Sequence, residues 1–344
     1  MLSSHQQTLN ANAKHCNAVF YNGIDIVKFV CSILVCSIHI APFNSNTTSI
    51  LAYFNFGVQQ YIARIAVPFF FVCSGFFLFR KIDNSQNSGE VIQNYSLKLI
   101  RLLGLWSILL AHSLTYQLWY IGATVVAITI VGFSLKSNLR YGQLIAIATG
   151  LYILGLLGDS YYGLTAKLTQ IKPIDYLSTT YAYFFTSTRN GLFMGVPFVL
   201  IGMLFARKKI NLKTSVAVIG FLLSELFLFC EVLLLKYFDI PKNYNMYIFL
   251  IPSTVFLFAF ASQIKIKDKP IYKKLRAAGS LIYFSHMLVY KFVYFGAIII
   301  REITNIDLSS YLFWLTLILV VGLAFWIESL SRKERFKWLS WVYS

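Results

Sequence analysis

Apolar residues along the chain gather into runs of about twenty, separated by short polar or charged punctuation. Runs such as Ile24 to Phe43 and Leu312 to Leu330 reach the roughly 20 residues that a helix needs to cross a hydrocarbon layer. Short alternating strands, the mark of a membrane barrel, are missing from the pattern. Read this way, the sequence predicts helices at 22–42, 61–80, 95–113, 116–134, 141–158, 186–206, 213–236, 245–262, 278–300 and 311–330. The expected fold class is all-α, a polytopic membrane protein of about ten crossings. Only His112 to Gln117 can turn the chain between the third and fourth helices, where a re-entrant pair is an alternative. The expected domains are a polar cytoplasmic tail (1–21), one transmembrane domain (22–330) and a basic cytoplasmic tail (331–344).

Composition strengthens the membrane reading. Of 344 residues, 58% are hydrophobic and only 12% charged, about half the charge of a soluble domain. The first 20 residues hold no apolar core of a cleavable signal, so the first helix is expected to direct insertion. The net charge of +17 becomes a topology signal once the helices are placed. With the N-terminus inside, most Lys and Arg fall in inner loops, as short cytoplasmic loops require, and both termini are cytoplasmic. That leaves Asn44 to Gln59 and Asp159 to Phe185 facing outward. The basic face suits anionic lipid headgroups or an anionic cosubstrate, and needs no nucleic acid. Cys16, Cys31, Cys36, Cys73 and Cys230 form no CxxC pair and read as small core residues, with no metal site expected.

Ionisable side chains inside a bilayer are costly and mark cavities or partners. Asp25, Lys28 and His39 share the first helix. Lys28 and His39 are 11 positions apart, which places them on one face about 16 Å apart. Such a stripe suits a passage, while Asp25 with Lys28 also reads as a helix-start ion pair. Histidine is the side chain best suited to general-base work near neutral pH. Arg64 and Arg189 open the second and sixth helices, as site residues or as interfacial anchors. Glu231, in the seventh helix, faces an outer cavity or pairs with Lys236. His286 serves the site or a helix-to-helix hydrogen bond, and His112 reads as a turn residue. Lys98 and Arg101, one turn apart, form a diphosphate grip or a juxtamembrane anchor.

Taken in order, GIDIVKFVCSILVCSIH, RIAVPFFFVCSGFFL, KLIRLLGLW, LWYIGA, NGLFMGVPFVLIGMLFARK and LIYFSHMLVY resemble segments of the acyltransferase-3 family of membrane acyltransferases. The resemblance runs over nearly the whole chain. It implies an O-acetyltransferase of a bacterial plasma membrane, carrying an acyl group from cytoplasmic acetyl-CoA to a hydroxyl of an extracytoplasmic glycan or glycolipid. It makes His39 the catalytic base or acyl carrier and Lys28 the basic member of the first motif. Lys98 and Arg101 would contact CoA, with Arg64, Arg189 and His286 as donors or acceptor contacts and Asp25 and Glu231 in support. The chain departs from the pattern in having Lys at 28 and 98 and only 13 positions from Trp106 to Trp119. A transporter or flippase, or a non-catalytic membrane sensor, are the competing classes, and the oligomeric state is left open.

Overall fold

The computed structural model describes residues 21–43, 49–110, 117–135, 137, 139–166, 172, 176, 180 and 187–344. Residues 1–20 of the expected tail, His112, Lys136, Lys167 and most of the 159–185 loop lie outside the described residues. Among the described residues the chain is helical and contains no strand.

Eleven longer helices follow in order: α1 (Asn22–His39), α2 (Ser49–Gln60), α3 (Ala66–Asp83), α4 (Ser88–Leu110), α5 (Trp119–Ser134), α6 (Tyr141–Leu157), α7 (Val196–Ala206), α8 (Thr214–Tyr237), α9 (Leu250–Gln263), α10 (Pro270–Thr304) and α11 (Leu312–Ser331). A helix coincides with each of the ten apolar runs. Among the described residues, five helical stretches are long and apolar enough to cross a membrane: Asn22–His39, Ile50–Asp83, Thr214–Tyr237, Pro270–Thr304 and Ser309–Ser331. The apolar helices Trp119–Ser134, Tyr141–Leu157, Gly191–Ala206 and Leu250–Gln263 are shorter.

Two boundaries differ from expectation. The expected outward loop 44–59 contains α2, which continues through a 3-10 turn, Ile62–Ile65, into α3. Its Asn and Ser punctuation hides apolar residues at helical spacing in SILAYFNFGVQQ. The expected inner loop Lys265 to Arg276 ends early, because Pro270 starts α10, with its fixed φ suited to a first helical turn.

The centre is aromatic. Phe69, Phe71 and Phe79 of α3, Phe198 of α7 and Phe258 of α9 are fully buried. The backbones of α3 and α7 come close where glycines face each other: Gly75 Cα lies 3.0 Å from where a side-chain carbon at Gly202 would sit, and Gly75 abuts the Val199 carbonyl. The outer surfaces of α8 and α11 are apolar, with Leu222, Leu226, Leu234, Ile318 and Trp326 exposed, which is the character of a lipid-facing surface. Cys31, Cys36 and Cys73 are buried free thiols, as read from the sequence, whereas Cys230, expected in the core, is exposed on α8, and Cys16 lies outside the described residues.

Asp25 corrects one expectation. Its partner is not Lys28 but Arg276 of α10, whose Nε and Nη2 donate to the two carboxylate oxygens at 2.8 and 2.7 Å. The carboxylate is 1% exposed and the arginine side chain 51%, so the two ends of this bridge are unequal. Arg276→Met leaves a buried charge without its partner and should cost about 3 kcal/mol. Asp25→Asn leaves an arginine that water can solvate and should cost less than about 1 kcal/mol. Thermal unfolding of both variants in detergent checks the order, and an equal or reversed loss would contradict it.

Candidate functional site

Two cavities lie in line along α1. The first is lined by His39 in the last turn of α1, Arg64 in the 3-10 turn, Arg189 before α7, Gln117 and Trp119 at the start of α5, Asn245 before α9, and Tyr120 and Tyr283. The second is lined by Lys28, Ser74, Tyr95, Lys98, Arg276 and Tyr343, again with Tyr120 and Tyr283. Lys28 and His39 therefore open onto different cavities that share two tyrosine walls.

The His39 cavity is built from the outside in. Asp159, fully buried at the end of α6, accepts on Oδ1 from the backbone N–H groups of Asn245 and Met246, at 2.7 and 3.2 Å. Its Oδ2 accepts from Asn245 Nδ2 at 2.8 Å. That bond fixes which way the Asn245 amide points, since only its NH2 can donate to a carboxylate. Asn245 Oδ1 consequently faces the arginines and accepts from Arg64 Nη1 at 2.8 Å and Arg189 Nη1 at 3.4 Å. Arg64 also donates to Gln60, and the Arg189 guanidinium lies 4.8 Å from the Trp119 ring centre. Asn190, next to Arg189, caps the following helix by accepting from the N–H groups of Leu192 and Phe193 at 2.9 and 3.0 Å. Arg189 is thus held on the cavity wall by a rigid helix start.

Gln117 supplies the opposite polarity. Its Nε2 donates to the Phe284 carbonyl at 3.1 Å, while its Oε1 is buried and accepts no hydrogen bond from the described residues. The cavity therefore presents two guanidiniums and one unsatisfied acceptor. A buried acceptor in that condition is costly and calls for a donor. His286 of α10 stands beside His39, ring centres 5.3 Å apart. Its Nδ1 lies 2.9 Å from the Tyr283 carbonyl and so carries the proton, which leaves the buried Nε2 as a bare acceptor.

Several sequence candidates lie elsewhere. Glu231 neither pairs with Lys236 nor faces the cavity; it accepts from Tyr161 at 2.7 Å and from the N–H groups of Ile248 and Phe249 at 2.7 and 2.9 Å. It thereby caps the start of α9. Lys236 lies over the Phe56 ring at 3.8 Å. Lys98 and Arg101 do not form a common grip. Lys98 lines the second cavity, whereas Arg101 donates to the Ser344 carbonyl at 2.7 Å and stacks on Trp341. Asp159, Asn245, Gln117, Tyr120, Tyr283 and Arg276 were not singled out by the sequence. An acidic residue at the end of an apolar run was the one signal available for Asp159.

Among curated proteins, the chain is similar to an amino-acid racemase of Enterococcus faecalis, 30% identical over 263 residues, with 69% of this chain and 35% of that protein covered. It is similar at 30% to a serine/alanine racemase of Enterococcus gallinarum, over 69% of this chain and 36% of that protein. A second amino-acid racemase of Enterococcus faecalis is 29% identical over 78% of this chain and 41% of its own length. The chain thus spans little more than a third of the length of these relatives. No protein-family profile matches the chain, and no solved structure does.

These findings overturn the resemblance to membrane acyltransferases. The relatives carry racemase names, so acyl transfer, O-acetylation and acetyl-CoA as cosubstrate are withdrawn. The geometry agrees in one respect: Arg101, expected to hold a diphosphate with Lys98, is turned onto the C-terminal residues. His39 as a base for acyl transfer falls with that reading.

Proposed function

We propose that this chain serves amino-acid racemisation as a membrane-embedded unit that binds a small zwitterionic amino acid in the His39 cavity. The reading rests on one observation: Arg64 and Arg189 converge on Asn245 Oδ1 in a cavity whose buried Gln117 Oε1 has no donor among the described residues. Paired guanidiniums suit a carboxylate. The bare amide oxygen suits an ammonium group. The free space is about 30 Å³, room for one or two waters, so the ligand is small and its entry needs the lining side chains to move apart. Serine and alanine, named in the relative from Enterococcus gallinarum, are among the smallest zwitterions.

The cavity binds rather than racemises. Inverting an α-carbon by two bases needs one on each face of the carbon, yet His39 and His286 stand side by side with ring centres 5.3 Å apart. Pyridoxal phosphate, which activates amino acids through an imine with a lysine, does not fit here either, because no lysine is among the described residues that line this cavity. His39, Arg64, Arg189, Gln117 and Asn245 are thus assigned to substrate binding, with Asp159 as the residue that positions Asn245.

In this reading the chain crosses a bacterial plasma membrane ten times as one domain with both ends cytoplasmic. Support comes from the basic residues Arg207, Lys208, Lys209, Lys213, Lys265, Lys267 and Lys269, which flank α7, α8, α9 and α10 at ends placed inside by the basic-loop rule. The His39 cavity then opens outward.

Labelled L-serine and purified protein in lipid nanodiscs provide the test. Saturable binding is expected, weakened at least about tenfold by Arg189→Met, the loss of one charged hydrogen bond, and weakened also by Gln117→Leu. Absence of saturable binding would refute the proposal. Acetate competing as well as serine would remove Gln117 from ammonium recognition.

A further inference from the structure

The second cavity carries an inference that rests on the binding role just given. Lys28 of α1, Lys98 of α4 and Arg276 of α10 line a space of about 180 Å³. Among the described residues, Arg276 is neutralised by Asp25, and neither lysine forms an ion pair. Two lysine charges thus share one cavity, Lys28 half-buried in its wall and Lys98 exposed at its rim, an arrangement that draws in an anionic ligand. Its volume exceeds that of the His39 cavity and accommodates a whole small amino acid.

Between the two cavities stand three rings in mutual contact. Tyr120 and Tyr283 meet edge to face with centres 5.7 Å apart, and Phe70 lies 5.8 Å from Tyr120 and 6.3 Å from Tyr283. Each tyrosine is latched to a different side. Tyr283 donates to the Gln117 carbonyl at 2.8 Å, beside the His39 cavity. The Tyr120 hydroxyl lies 3.2 Å from Ser74 Oγ, in the Lys28 cavity. Polar space therefore continues along α1 on both sides of a barrier one aromatic layer thick.

We infer that the Lys28–Lys98 cavity is a second carboxylate-binding station, and that the amino acid bound at Arg64 and Arg189 passes to it when the Phe70–Tyr120–Tyr283 layer opens. The carboxylate is handed from guanidiniums to ammonium groups, so it is never without a counter-charge in the bundle. No bond is made or broken in the passage.

Proteoliposomes loaded with unlabelled serine, with labelled serine added outside, test it by exchange. Wild-type protein should accumulate label. Lys28→Met/Lys98→Met should cut the rate more than tenfold while outside binding in nanodiscs is unchanged, and the double Arg variant should restore exchange. Should the Met pair fail to fold, wild-type protein decides the matter. Added serine, but not choline, should slow modification of Lys28 and Lys98 by an amine-reactive reagent, read by mass spectrometry. Wild-type protein that binds serine without exchanging it, a Met pair that exchanges at the wild-type rate, or lysines that serine fails to protect would overturn the inference and leave the binding role standing. Lack of serine binding at all would instead remove the binding role.

Discussion

Replacing Gly202 by valine is expected to leave no folded protein. A side-chain carbon at that position would lie 2.2 Å from the Val72 carbonyl oxygen and 2.7 Å from the Phe76 nitrogen. Both are main-chain atoms in the middle of α3, so no rotamer change relieves the contact. Overpacking costs about 1–3 kcal/mol where neighbours can yield; here α3 and α7 must separate, exposing the buried rings of Phe69, Phe71 and Phe198. Gly104 of α4 is the control, because nothing lies within 4 Å of a carbon added there, and alanine at that position should be neutral or stabilising by up to about 1 kcal/mol. Gel filtration in detergent and thermal unfolding compare the two. Wild-type behaviour of Gly202→Val would contradict the close approach of these helices.

Asp159→Asn should fold and fail to bind. The new amide can keep its oxygen on the N–H groups of Asn245 and Met246, but its NH2 then faces the NH2 of Asn245 across the 2.8 Å contact that Oδ2 now makes. Two donors cannot share that contact, so Asn245 must turn over and direct its own NH2 at Arg64 and Arg189. The carboxylate site is disordered from one residue away. Asp159→Ala should instead unfold, because it strands buried N–H groups at about 1–3 kcal/mol each. Serine binding measured on folded Asp159→Asn protein is the check, and an unchanged dissociation constant would remove Asp159 from the positioning role.

Helix positions were largely legible in the sequence because hydrophobic run length is a local property. Each of the ten runs coincides with a helix, and where a boundary failed the cause was also local. Asn and Ser in α2 looked like loop punctuation, although the apolar residues between them keep helical spacing. The same local reading found His39, Arg64 and Arg189 as ionisable groups in apolar surroundings, and the fold brings all three to one cavity. It could not assign their chemistry: the acyltransferase resemblance, drawn from short apolar motifs, gave way to relatives named as racemases.

By itself, then, the sequence determined an all-helical chain rich in apolar segments and the residues whose charge demands an explanation. Only the tertiary structure decided the partners. Asp25 meets Arg276 across 251 positions and Asn245 meets Arg64 across 181, while Lys98 and Arg101, three positions apart, take different partners, Lys98 lining the second cavity and Arg101 bonding to Ser344. Spacing along a helix fixes which face a side chain occupies. Which other helix that face meets depends on packing between distant segments, such as the glycine contact of α3 with α7, and no periodicity within a single run records it.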